Sequence, residues 1–115
     1  MRTVVLVIAA EGVIDNGGLR FFFENDWPDH PPYSTFSAAF RTIGADDLAD
    51  AIETAAALFP GAEPERDTAA RLAFLATPEA AALDRLDASW SSDLVSLLGR
   101  YIDAHLAEFG LDADR

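Results

Sequence analysis

The chain has no cysteine and no lysine in 115 residues. Without thiols there is no disulfide framework, no thiolate metal ligand and no cysteine nucleophile, and the redox compartment leaves no mark on the sequence. The missing lysines leave eight basic residues, all arginine, to face 20 acidic ones, for a formal net charge of −12. That balance repels phosphate backbones, because affinity for nucleic acid comes from cationic side chains that release counterions. Direct nucleic-acid binding is therefore not expected. Also missing is any run of about 20 apolar residues, the length that crosses a bilayer. The opening "MRTVVLVIAAEG" imitates a signal peptide only faintly, since its polar leader is minimal and cleavage near Glu11 would remove part of the core. The expectation is a cytoplasmic protein with no membrane contact.

What is present is globular composition. Half the residues are hydrophobic and about a quarter charged (50% and 24%), which separates the chain from disordered sequences. Its length fits one domain over residues 1–115 with one core. The acidic field would attract a basic patch on another protein, or cations, within a Debye length of about 8 Å at physiological salt. The alternative is that it serves only solubility.

Abundant alanine beside leucine and arginine favours helix. Apolar residues from Leu83 through Leu86, Trp90, Leu94, Leu97, Leu98, Tyr101 and Ile102 to Leu106 and Phe109 recur at steps of three and four. This predicts one long amphipathic helix, or two with a break near Asp87 to Ser89. Thr77, Pro78 and Glu79 form a helix start, with Thr77 as N-cap, while Gly110 and Leu111 suit a Schellman ending. Phe36, Phe40 and Ile43 predict a helix ended by Gly44. Asp46 is then the expected N-cap of a helix that carries Leu48, Ile52 and Ala55 and stops at Pro60-Gly61. A further short helix is expected over about Arg66 to Ala76 with Leu72 and Leu75 inside, and "ENDWPDHPPYS" is a loop on its prolines. "TVVLVIAA" suits a strand by propensity, but nothing else in the chain could pair with it, so helix is preferred.

The segment "EGVIDNGGLRFFFEND" puts two glycines between an aliphatic run and three phenylalanines. Asn16, Gly17 and Gly18 can supply positive φ for a sharp corner, after which Leu19, Phe22 and Phe23 turn inward and Phe21 points elsewhere. A phosphate-binding loop is the competing reading. "GVIDNGG" lacks the GxGxxG order and no Lys-Ser/Thr follows.

These residues resemble a known family. "E-x-x-x-D-N-G-G-L-x-F-F-F-x-N", with Asn16, Gly17, Gly18, Phe22, Phe23 and Asn25, is similar to the Asn-Gly-Gly-aromatic signature of small, acidic, all-helical bacterial domains, largely of unknown function, whose best-known member is a DNA mimic. "AFRTIGADDLADAIETAAALFPG", with Gly44 at its corner, and "LDRLDASWSSDLVSLLGRYIDAHLAEFG" resemble the same family, so the likeness spans Glu11 to Gly110. Two positions depart from it. The family usually has an aromatic after the glycines and Gln before the Phe pair, where this chain has Leu19 and Phe21; the leader before Glu11 also looks short. The resemblance implies an all-α fold and carboxylates that occupy the places of DNA phosphates on a transcription factor's DNA-binding surface, displayed on a dimer.

Asp46, Asp50 and Glu53 fall at i, i+4 and i+7 beside Asp47, which predicts a row of carboxylates about 5 to 6 Å apart, comparable to phosphates along one DNA strand. Asp84, Asp87 and Asp93 offer a second acidic patch. The structural reading is that Asp46 caps its helix, Asp47 meets the dipole and the others are solvated. No EF-hand loop, HExxH or paired histidine spacing is present, so no metal and no cofactor is expected; His30 reads as an exposed loop residue and His105 as a hydrogen-bonded packing residue. No nucleophile elbow or adjacent base pattern appears, and no catalytic residue is nominated. The expectation is an all-α single domain of five or six helices, acting as a non-enzymatic acidic module on the basic surface of another protein, in its specific form a DNA-binding protein. A small enzyme or metal-binding protein using the same carboxylates is the alternative. Phe21 and surplus apolar positions of the last helix offer a face on which a homodimer could form.

Overall fold

Val4, Val7, Ala10 and Ile14 recur at steps of three and four and all are buried, so the β-branched opening of the chain is helix, which satisfies its own backbone groups where a lone strand could not. The computed structural model describes residues 2–91 and 93–105. Among them are six α-helices and no strand: α1 Arg2–Glu24, α2 Tyr33–Thr42, α3 Asp46–Leu58, α4 Thr68–Leu75, α5 Ala81–Leu86 and α6 Leu94–Ala104. Short 3₁₀ turns at 60–62, 64–66, 78–80 and 87–89 connect them. Helix α1 touches α2, α4, α5 and α6, and α2 lies along α3.

The first corner lies inside α1, at Gly18, whose φ of 70° and ψ of −166° interrupt the helical backbone. Gly17, expected to share the positive φ, does not have it. It is confined differently, because a Cβ there would sit 2.5 Å from the Cβ of Phe21, closer than side-chain contacts allow. Asn16 supplies no positive φ either; its amide donates to the Gly12 carbonyl at 3.0 Å. Past the corner, Phe22 and Phe23 are fully buried while Phe21 is 41% exposed. Phe22 anchors an aromatic cluster, edge-on to Phe23 and Phe36 at 5.2 Å each and 5.4 Å from Tyr33. Trp27 closes it, donating its indole N–H to the Phe22 carbonyl at 3.2 Å, and the Asn25 N–H bonds the Phe21 carbonyl at 3.0 Å where α1 ends. Edge-to-face pairs of this kind add about 0.5–1.5 kcal/mol each beyond burial.

The second corner is a Schellman ending. Gly44, at φ 96°, donates to the Arg41 carbonyl at 3.0 Å, and Ala45 donates to the Phe40 carbonyl at 2.8 Å. Ala45, not Asp46, occupies the N-cap of α3, and Asp46 is its first helical residue with no capping hydrogen bond. The backbone turns so tightly after Gly44 that the cap position falls one residue early. Helix α4 is shorter than the predicted 66–76 and is capped by Asp67, which accepts the Ala70 N–H at 3.0 Å. Leu75 faces the core, but Leu72 is 44% exposed. Thr77 holds the N-cap position of the 3₁₀ turn that Pro78 opens before α5, but its side chain makes no capping bond; its hydroxyl donates instead to the Phe74 carbonyl at 2.6 Å. The final apolar stripe divides at Asp87–Ser89, as the second of the two predicted arrangements has it, and Trp90 takes extended backbone at φ −128° and ψ 150°. Leu106, Phe109 and the expected ending at Gly110 and Leu111 lie outside the described residues.

Both glycines of the first corner are expected to resist substitution for different reasons. Gly18→Ala adds a Cβ at positive φ and 2.5 Å from the Asp87 Oδ2, and should cost about 2 kcal/mol or more. Gly17→Ala should also destabilise, through Phe21. Thermal denaturation of both variants measures this, and a Gly18→Ala protein as stable as the parent contradicts the corner.

Candidate functional site

The positive φ at Gly18 takes Leu19 out of the helical ladder and leaves its N–H as the donor of a new helix start. That N–H is met from far along the chain by Asp87 Oδ1 at 3.0 Å, a carboxylate acting as an N-terminal cap between helices. Asp87 and Gly18 line a cavity of about 290 Å³ with Glu11, Asp15, Ile14 and Trp90. Desolvation by burial pushes the Asp87 carboxyl above its usual range against the Leu19 bond, with Asp84 adding to the rise. One Asp87 oxygen holds Leu19 and the other lies against Gly18, so its placement is first a structural one.

The α3 row forms as the spacing predicts, but it carries its own counter-ion. Arg41, from the end of α2, reaches Asp50 at 2.5 Å, Glu53 at 3.2 Å and Asp46 at 3.9 Å. Hydrogen bonds to Asp50 and Glu53 hold the guanidinium proton more firmly than water does. The three carboxylates remain exposed, at 72%, 70% and 51% for Asp46, Asp50 and Glu53. Asp47 does not join them. It accepts the Leu48 N–H at 2.8 Å and the Ser91 N–H at 2.9 Å, tying α3 to the link before α6.

The second predicted patch separates into three tasks. Asp84 pairs with Arg20 at 3.2 Å, and Arg20 also donates to the Leu75 carbonyl at 2.8 Å. Asp87 caps Leu19. Asp93 is the N-cap of α6, bonded to the Ser96 hydroxyl at 2.8 Å and its N–H at 3.2 Å, which together hold its carboxyl below the usual range. Glu11 and Asp15, one helical turn apart in the Asn-Gly-Gly segment, were not nominated as site residues although their spacing puts them on one face. Arg41 was also missed; its position shortly before Gly44 is the signal that it could fold back over α3.

His30 is exposed, with its Nδ1 3.4 Å from Asp26, and His105 packs on Tyr101, 4.2 Å between rings, with its Nδ1 2.8 Å from the Tyr101 carbonyl. Among the described residues, no group of three or more His, Asp or Glu side chains could hold a metal ion, and no helix is long and apolar enough to cross a membrane.

The family model described as DMP19-like protein matches residues 1–105. No curated protein and no solved structure matches the chain.

The raised Asp87 carboxyl sets a pH signature. A folded-state pKa above the unfolded one gives stability that is full below the unfolded value and is lost as pH rises through the folded one. Asp87→Asn, which stays neutral throughout, should therefore be at least as stable as the parent at pH 7, and the difference should close on acidification below the usual carboxylate range. Paired denaturation curves across pH measure it; a variant that loses stability at pH 7 would show the charge on Asp87 to be a net contributor to the fold.

Proposed function

The chain belongs to the DMP19-like protein family, and from that premise we propose that it is an acidic protein-binding module that occupies a basic surface on another protein. Its specific form in this reading is DNA mimicry, with carboxylates taking the places of phosphates on the DNA-binding surface of the partner. The observation that carries the reading is how the fold distributes its charge. Arg20, Arg41, Arg66 and Arg71 all pair with carboxylates inside the molecule. Meanwhile Asp15, Glu24, Asp29, Glu79 and Asp103 are exposed and enter no ion pair with a described residue. The acidic excess therefore faces solvent, where a basic partner would meet it.

The Arg41 clasp fits this use. It leaves the row at Asp46, Asp50 and Glu53 negative while it restrains two flexible carboxylates, so less conformational freedom remains to be lost on association. Exposed Phe21, Val5, Ile8 and Val95 supply apolar surface on which two copies could pair.

Capture from the source organism's lysate at low and high salt, with duplex DNA as competitor, tests the proposal. A basic DNA-binding protein should be retained at low salt, released at high salt and displaced by DNA. Joint Asp46→Asn, Asp50→Asn and Glu53→Gln replacement should weaken retention with little change in melting temperature, because exposed ion pairs contribute little to stability; Arg41→Gln should strengthen it. Failure to retain any basic protein at low salt would overturn the reading, and unchanged retention by the triple variant would exclude the α3 row as the contact.

A further inference from the structure

A groove of about 380 Å³ lies between the start of α2, the outer side of α3 and the 60–66 connection, inside the range of roughly 300–1,000 Å³ typical of ligand sites. Ile52 and Ala56 give it an apolar side, and Glu53, Glu63 and Glu65 are its acidic lining. Glu63 is paired with Arg66, itself in the wall, and Glu53 with Arg41. Glu65 enters no ion pair with a described residue.

Tyr33 supplies the second observation. It is 3% exposed, its ring is seated against Phe22 and Phe23 at 5.4 Å and 4.5 Å, and it forms part of the groove wall. Its hydroxyl makes no hydrogen bond to another described residue. The ring is buried, but the hydroxyl oxygen is not sealed from solvent and opens onto the groove, where a ligand could bond it in place of water. Burial, above all, pushes this phenol up to about 12; the Arg71 guanidinium pulls it down, while Glu65 and Asp26 push it further up. The hydroxyl thus stays protonated at neutral pH. Arg71 is buried behind the wall and is faced by Asp26 at 3.6 Å, so its charge does not stand alone against an incoming cation.

We propose that this groove receives the side chain of an arginine from a basic partner protein, its aliphatic stem along Ile52 and Ala56 and its guanidinium between the Glu65 carboxylate and the Tyr33 hydroxyl. An anion is disfavoured by the glutamates, and a neutral group would leave Glu65 unpaired. A guanidinium suits the pair better than an ammonium, because its planar fork can donate to a carboxylate and a phenol oxygen at once. The inference rests on the proposed function only for the source of the arginine; the chemistry of the groove can be tested without a partner.

The test is titration of the full ¹⁵N-labelled chain with N-acetyl-L-arginine methylamide, with the citrulline analogue as its uncharged isostere. The amides of Tyr33, Ala56, Ala62 and Glu65 should shift in a saturable manner with the arginine probe and not with the citrulline one. Glu65→Gln and Tyr33→Phe should each weaken the response by about threefold or more while keeping the parent's dispersed spectrum. Glu65→Gln alone suffices if the buried substitution perturbs folding. No saturable shift at these residues, an equal response to citrulline, or equal shifts at Asp46 and Asp50 would overturn the proposal. Capture of a basic partner without an arginine response in the groove would refute the groove and leave the module; an arginine response with no partner captured would do the reverse.

Discussion

The bond from the Leu19 N–H to Asp87 is the constraint on which the arrangement of the helices turns. A positive φ at Gly18 would otherwise leave a broken helix with an unsatisfied donor next to a fully buried leucine. The 3.0 Å bond to a carboxylate from the far end of the chain removes that penalty, and it fixes the link after α5 against the bend in α1. The second arm of α1 is then aimed so that Phe22 and Phe23 enter the space enclosed by α2, α3 and the Phe59 to Phe74 contact. A carboxylate close to Gly18 also explains why the residue must be glycine on two counts, its φ and the space a Cβ would need.

A net charge of −12 raises the question of how the chain tolerates its own repulsion. Its answer is local. Arg41 gathers three carboxylates and Arg20 joins Asp84 to the Leu75 carbonyl. Asp47, Asp67, Asp87 and Asp93 accept backbone N–H groups. Many of the acids near the corners are thus part of how the helices start, and acidity serves folding at those positions before it serves any partner. Buried Arg71 is handled differently: among the described residues its Nε and Nη2 have no hydrogen bond, while Asp26 lies 3.6 Å and the Pro64 carbonyl 3.5 Å from its guanidinium. Such a group is costly to bury, and the Asp26 carboxylate offsets part of that cost.

Helix identity was legible because it is written in steps of three and four, and Phe36, Phe40, Leu48 and Ile52 are buried as those steps require. Both corners were legible from glycine. Which of Gly17 and Gly18 takes the positive φ was not, since either could, and the choice is made by Asp87, 68 residues from Leu19 in sequence. The α3 row was legible for the same reason the helix was, whereas its counter-ion depends on a turn folding Arg41 back. Asp47 illustrates the limit most simply: helical spacing places it beside the row, and a bond to Ser91, 44 residues away, turns it to another task. Nothing in the sequence pairs Tyr33 with Glu65, 32 residues apart, and only the fold brings the two into the wall of one groove.

These two uses of one residue type decide what the resemblance can carry. Gly18, Phe22, Phe23, Gly44 and Asp87 make the corners and the core, so a chain that matches at these positions shares the means of folding. Replacing an acid bonded to backbone alters a helix start, so a change of binding in such a variant mixes contact with a shift in stability of either sign. Asp46, Asp50 and Glu53 meet a side chain that is itself exposed. Their charge can be removed with the helix left intact, which makes this row, rather than the more numerous capping acids, the place where function can be separated from structure.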